Sequence, residues 1–296
     1  MSERPLQAQV DAANAYEALF VPALFGPWAT RVADLARIRP GQRVLDVACG
    51  TGVLAREVAS RTGSPEDVVG LDPSPGMLAV ARRLASAVDW REGTAESLPF
   101  PDRSFDAVVS QFGLMFFEDR QRAIREMLRV LRPGGRLVVA VWNSLESIPA
   151  YGAEVELLEK VGGRRAADAM RAPFALGDRR LLATLFADAG AASVEIATDR
   201  GPARFPSIRV MVEADLRGWL PVMGVNLTEG EIDRILRRAP DVLASYVSEE
   251  GRVRFESSAH LVTATMRRRG NRGAGRPRIA PGAAGRSTRR RVEPAA

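Results

Sequence analysis

The 296-residue chain holds one cysteine (Cys49), one histidine (His260) and one lysine (Lys160). A single cysteine excludes an internal disulfide and a multi-cysteine metal site, and it is the usage of a reducing compartment. One histidine excludes histidine-based metal sites, and a catalytic triad has only that imidazole to draw on. No apolar run approaches the roughly 18 residues that a membrane-spanning helix needs. The first residues, MSERPLQAQVDAANA, lack the basic and apolar regions of a secretory signal. The expectation is a soluble, cytoplasmic protein with no metal centre and no transmembrane segment.

Arginine, by contrast, is plentiful, and the formal net charge is +6. Taken whole, that charge suggests a nucleic-acid partner. Its distribution says otherwise. Residues 267–296 hold ten arginines and one acid, Glu293, so residues 1–266 carry 32 basic and 35 acidic groups and are net negative. The excess of arginine over lysine, with abundant alanine and glycine, also follows from GC-rich coding and is weak evidence for phosphate binding. Segment 267–296 has few apolar residues and no periodicity, which predicts a disordered, dispensable tail. The remainder is long and apolar enough (46% hydrophobic over the whole chain) for one large or two modest domains.

Along the chain, helical spacing over residues 11–38 is interrupted at Pro22 and at Gly26-Pro27, which predicts two short helices joined by a bend. Strands follow at 43–48, 68–72, 88–91, 105–111 and 136–142, separated by helices at 53–61, 75–87 and 120–131. Apolar strands alternating with helices of ten to fifteen residues are the pattern of a parallel, doubly wound sheet. Residues 144–190 read as helical, with 179–189 the best amphipathic case and Gly190 its stop. Strand character returns at 193–198 and 252–266. The helical stretch between them, 207–248, is broken by Pro221, Gly224, Gly230 and Pro240 and suits a cap over a pocket.

The segment most informative about chemistry is Asp46-Val-Ala-Cys-Gly50-Thr-Gly52, where the first strand turns into a helix. Glycines there let a ligand approach the backbone, and the helix N-terminus offers free N–H donors. It fits the loose dinucleotide pattern GxGxxG/A, with Asp72 further on. However, Asp46 just before the glycines suits a cationic amine better than a pyrophosphate, and the loop has no basic residue.

Four ordered pieces, RVLDVACGTG (43–52), GLDPSPGML (70–78), EGTAESLPFPDRSFD (92–106) and REMLRVLRPGGRLVVAVW (125–142), carry a resemblance. Together they resemble a class I S-adenosylmethionine-dependent methyltransferase, of the family that includes the quinone-biosynthesis C-methyltransferases. The resemblance implies an α/β fold, a doubly wound Rossmann-like seven-stranded sheet, mostly parallel with one antiparallel strand, plus a helical cap. It divides the chain into N-terminal helices over the cofactor site (1–40), an S-adenosylmethionine-binding core (41–143), the cap with the final strands (144–266) and the tail (267–296).

Site roles follow from the same resemblance. Asp46, Ala48, Gly50 and Gly52 would hold the methionine end of the cofactor, and Asp72 both ribose hydroxyls. Pro73 and Met77 would line the adenine face, and Thr94, Ala95 and Glu96 its edge. The family most often has aspartate where Thr94 stands. Ser110 and Gln111 would border the transferred methyl, with Phe112, Met115, Phe116 and Trp142 forming the acceptor pocket. His260, Tyr16 and Glu118 are the candidate bases. The implied activity is O-, C- or N-methylation of a small, apolar or aromatic molecule, with S-adenosylhomocysteine as product. Two alternatives are a nucleic-acid or protein methyltransferase guided by the basic tail, and a cofactor-binding protein without catalysis. Against the first, the fourth strand ends in Ser110-Gln111-Phe112-Gly113 and not in the Asn-Pro-Pro-aromatic motif of amino-group DNA methyltransferases.

Overall fold

The computed structural model of the chain describes residues 5–266. Segment 267–296, with the disorder expected of it, lies outside the described residues. Seven strands form one sheet: β1 (Val44–Val47), β2 (Val68–Asp72), β3 (Asp89–Glu92), β4 (Phe105–Gln111), β5 (Leu131–Trp142), β6 (Ser193–Phe205) and β7 (Val253–Thr265). Their order is β3-β2-β1-β4-β5-β7-β6, with β1 to β5 parallel and β7 antiparallel to both of its neighbours. The central strands β1 and β2 are buried along their whole length, as apolar strands covered on both faces must be. Chain order reverses between β1 and β4, and the crevice beyond the carboxyl ends of strands at such a reversal is where ligands bind in open α/β sheets.

The N-terminal residues depart from expectation. Helix α1 (Leu6–Ala15), a π-helical segment (Tyr16–Phe25) and α2 (Gly26–Ala36) follow one another without a break. Gly26 keeps right-handed helical angles (φ −53°, ψ −49°), and Pro22 falls within the wider π-helical turns. Helices α3 (Val53–Thr62), α4 (Pro75–Leu84) and α5 (Arg120–Val130) connect the parallel strands.

Helix α8 (Arg179–Asp188) packs on β6 and α5, and the cap comprises α6 (Pro149–Val161), α7 (Arg164–Arg171), α9 (Ile208–Ala214), a π-helical turn (Asp215–Trp219), the short α10 (Leu220–Val222) and α11 (Glu229–Leu243). Gly230 and Pro240 do not break α11. A capping box between Thr228 and Glu231 starts this helix, and Ile232, Ile235, Leu236, Ala239 and Leu243 bury one continuous stripe of it. Strand β6 runs well past Thr198 because β7 pairs with it from Ser193↔Thr265 to Phe205↔Val253. No helix among the described residues is long and apolar enough to cross a membrane.

Helix α1 crosses α4 at Gly76, where an added Cβ would lie 2.6 Å from backbone and side-chain atoms of Gln9. A side chain at that position forces α1 away from α4. Gly76→Ala is expected to destabilise the protein by about 1–3 kcal/mol in urea unfolding. It should also speed amide exchange across residues 6–15; unchanged exchange there contradicts the close packing.

Candidate cofactor and acceptor site

The turn after β1 needs left-handed backbone at Ala48 (φ 58°), Gly50 (φ 55°) and Gly52 (φ 87°). An added Cβ at Gly50 would meet nothing within 4 Å, so the loop presents bare backbone to open space. Beneath it Asp46 is buried, and neither carboxylate oxygen has a hydrogen-bond partner among the described residues. Burial above all, together with the adjacent Asp72, raises its pKa well above the usual carboxylate range. A buried acid in this state gains from a cation or a hydrogen-bond donor.

Asp72 ends β2 and is held by two backbone amides. The N–H of Gly50 donates to Oδ2 and that of Ser74 to Oδ1, both at 2.9 Å. Burial still raises its pKa. Each oxygen keeps a second lone pair, so the carboxylate can accept from two neighbouring hydroxyls. Ser74 also caps α4 by accepting from the N–H of Met77 at 3.3 Å.

The end of β4 completes this rim. Ser110 is fully buried, and Gln111 Nε2 donates to the Phe25 carbonyl at 3.1 Å; Ser110 Oγ and Gln111 Oε1 have no partner among the described residues. Phe112 is left-handed (φ 56°), and an added Cβ on Gly113 would lie 2.6 Å from the Ala48 Cβ. The two turns therefore touch, each with a non-glycine residue in a conformation costing on the order of 1–3 kcal/mol. Of the remaining cofactor candidates, Pro73 and Thr94 are exposed, Ala95 is buried, and Glu96 accepts from the Glu118 N–H at 3.0 Å.

Next to this rim lies a cavity of about 450 Å³. Tyr16, Phe25, Met77, Phe112, Phe116 and Trp142 line one part of it, and Tyr151, Phe174, Asp215 and Trp219 of the cap line another. Phe112 and Trp142 stack with ring centroids 3.7 Å apart and planes 8° apart, and Phe25 packs within 6.0 Å of both. Tyr16 stacks on Phe25 at 5.2 Å. Burial, then the charges of Asp72, Glu17 and Asp46, push the Tyr16 phenol up, so it stands in the cavity as a neutral hydroxyl that donates, not as a base.

Three expected site residues are elsewhere. His260 lies in β7 away from the cavity wall, with Nδ1 2.9 Å from Thr198 Oγ1 and Nε2 2.8 Å from the Gly177 carbonyl. A carbonyl can only accept, so Nε2 carries the proton; burial lowers the pKa and keeps the ring neutral. His260 thus ties β7 to β6 and to the loop before α8. Glu118 is exposed at the surface beside Glu96. Met115 is packed into the core, because the short helical turn Leu114–Phe116 points it inward while Phe116 reaches the cavity.

Two residues missed in the sequence are Glu154 and Asp215. Their exposures are 0% and 3%; both oxygens of Glu154 and Oδ2 of Asp215 have no hydrogen-bond partner among the described residues. Burial pushes Glu154 up to about 8, and burial followed by the nearby Glu154 raises Asp215 well above its ordinary value. A signal was present: Glu154 shares a helical face with the buried Tyr151, Val155 and Leu158, and Asp215 follows Met211 and Val212 by one turn.

In the unfolded chain Glu154 ionises near 4.5, and in the folded protein near 8. Its burial is therefore tolerated at low pH, and stability is lost as pH rises between those values. Glu154→Gln, which keeps the shape of the protonated acid, is expected to match the parent Tm near pH 5. By pH 8 it should exceed the parent by several °C, a gain on the order of a few kcal/mol. A Tm difference that stays constant over that range contradicts the buried-acid assignment.

Residues 45–139 match the family described as "Methyltransferase domain". A demethylmenaquinone methyltransferase from Renibacterium salmoninarum is 46% identical over 125 residues, covering 42% of this chain and 50% of that protein. A ubiquinone/menaquinone biosynthesis C-methyltransferase from Ectopseudomonas mendocina is 45% identical over 118 residues, covering 38% of this chain and 46% of that protein. The chain thus spans about half the length of the curated relatives it matches. Among solved structures, the YcgJ protein from Bacillus subtilis superposes with a TM-score of 0.55 at 21% identity, covering 81% of this chain and 98% of that one, a likeness of fold. Residues 45–139 thus match a methyltransferase domain and are similar in sequence to a demethylmenaquinone methyltransferase and a ubiquinone/menaquinone biosynthesis C-methyltransferase.

Proposed function

We propose that the protein methylates a small apolar or aromatic molecule, using S-adenosylmethionine held at the ends of β1, β2 and β4. The observation that carries this reading is the continuity of two unlike surfaces: a rim of buried, unpartnered polar atoms, and an aromatic cavity whose wall includes Met77 and Phe112. The residues fit the cofactor. Unpartnered Asp46 suits its ammonium group, the bare backbone at Gly50, with the Gly52 turn packed on Trp90 beside it, its carboxylate, and the free lone pairs of Asp72 its ribose. Ala48 shapes the same turn. Pro73 and Met77 would flank the adenine, with Thr94, Ala95 and Glu96 at its edge and Ser110 and Gln111 beside the methionine end.

When bound, S-adenosylmethionine supplies an electrophilic methyl group on a sulfonium, delivered by in-line displacement. The chain's own contribution is alignment and exclusion of water. Phe112 and Trp142 present a flat stacked wall against which a planar acceptor can lie. Tyr16, neutral and next to Asp72, can donate a hydrogen bond to an acceptor oxygen. The similar proteins include a demethylmenaquinone methyltransferase and a ubiquinone/menaquinone biosynthesis C-methyltransferase, and an aromatic nucleus of that kind suits these walls. A small acceptor is favoured over a polyanion because the cavity is apolar and residues 1–266 are net negative.

S-adenosylmethionine should raise the Tm of the full chain, and Asp72→Ala should abolish that shift with at least a tenfold loss of affinity, about 1.4 kcal/mol or more. Labelled methyl groups from the cofactor should appear in the small-molecule or lipid fraction of a cell extract. No shift for the parent protein contradicts the reading, and label confined to RNA or protein transfers support to the macromolecular alternative.

A further inference from the structure

We propose that Glu154 and Asp215 form an anchor for a protonated amine on the acceptor molecule. The proposal rests on the methyltransferase reading for its view of the cavity as an acceptor site. Asp215, the first residue of the π-helical turn Asp215–Trp219, lines the cavity at 3% exposure with Oδ2 unpartnered. Glu154 of α6 is wholly buried, with neither oxygen partnered, one helical turn from Tyr151, which lines the same cavity. Asp215 thus stands at the wall of an apolar chamber, and Glu154, from a separate element, lies behind that wall, near enough for its charge to act on Asp215.

Among the described residues no cation is paired with them. Arg217 also lines the cavity, but its two terminal nitrogens lie 2.7 Å from the two oxygens of Glu229 and its Nε lies 3.2 Å from Glu213. Buried acids left this way lower stability, and an apolar pair of similar volume would do better as packing. Their chemistry narrows the ligand. A carbonyl or hydroxyl on the acceptor can be held by a neutral group such as the Tyr151 hydroxyl. What only carboxylic acids offer is negative charge on demand: an arriving ammonium group favours loss of their protons to solvent, and the Asp215 oxygens can then accept its N–H bonds with Glu154 behind them. Tyr151 and Phe174, with ring centroids 5.8 Å apart at the cavity wall, add faces attractive to a cation.

Both acids also lie outside residues 45–139, in the cap and not in the family-matched domain, as expected of a device specific to this chain's acceptor. An ammonium nitrogen has no lone pair, so the anchored group is a handle. The atom to be methylated belongs elsewhere on the same molecule, toward Phe112.

The test is calorimetric titration of the full chain with 4-phenylbutylamine, 4-phenylbutanol and menadione, a quinone without an amine. S-adenosylhomocysteine binding is measured first, and the titrations are run with and without it. The amine is expected to bind at least about tenfold more tightly than the alcohol or the quinone. Glu154→Gln and Asp215→Asn should each bring that ratio to within about twofold while leaving the S-adenosylhomocysteine Kd within about twofold, which also reports folding. Equal binding of alcohol or quinone by the parent protein, no binding of the amine, or a ratio retained in both variants overturns the anchor. If one variant does not fold, the other, titrated with S-adenosylhomocysteine occupying the rim at Asp46, decides the matter. Amine preference without any S-adenosylhomocysteine binding upholds the anchor and overturns the methyltransferase reading instead.

Discussion

The 2.9 Å hydrogen bond from the Gly50 N–H to Asp72 Oδ2 joins the two elements on which the site depends. It is made possible by the register of β1 against β2, Asp46↔Gly70 and Val47↔Leu71, which sets the glycine turn of one strand beside the terminal acid of the next. The Cys49 N–H continues the ladder to the Leu71 carbonyl at 3.1 Å, so the turn leaves the sheet only after that point. The bond fixes Asp72 but brings a second acid, Asp46, close beneath it with no partner of its own. Besides burial, the charge of Asp72 raises the pKa of Asp46, and both acids raise that of the neutral Tyr16 phenol; a bound cation would offset the charge of the acids. Left-handed Ala48 and Phe112 are further strain at the same meeting of turns.

The cap repeats this device on a different scaffold. In the sheet, Asp72 receives two backbone amides; in the cap, Glu154 receives none and is pushed up to about 8 by burial alone. Stability is given up in both places where a ligand could restore it, the usual trade at a working site. Between them the aromatic wall of Phe25, Phe112 and Trp142 is backed by Trp28, which is fully buried and sets its ring edge-on to Phe112 and Trp142. That support is structural. It keeps the stacked pair flat, as the proposed planar acceptor requires.

Much of the sheet was legible in the sequence because each parallel strand is a short apolar run closed by local turn chemistry, and Asp46, Gly50 and Asp72 sit at those closures. What could not be read is what distant segments impose. The charged stretch Asp199-Arg200-Gly201-Pro202 looks like a loop, yet β7 pairs with all of it, and Gly201 is where Trp28 packs, with an added Cβ only 2.9 Å from its ring. His260 in an apolar run gives no hint that the Gly177 carbonyl and Thr198 claim both nitrogens. Pro22 reads as a helix break because the wider π-helical turn that contains it has no local signature. The cavity joins residues from Ala12 to Ser257, so its composition is set by tertiary packing. Glu154 and Asp215 were recoverable, from the rule that an acid on the buried face of an amphipathic helix needs a reason.

The central claim is that the acids at the strand ends hold S-adenosylmethionine beside the aromatic cavity. A crystal structure grown with S-adenosylhomocysteine tests it most directly. The account predicts the ribose hydroxyls within hydrogen-bonding distance of Asp72, the amino group at Asp46, and the thioether sulfur opening onto the cavity beside Tyr16 and Phe112. A ligand bound elsewhere, or bound here without contact to Asp72, contradicts it.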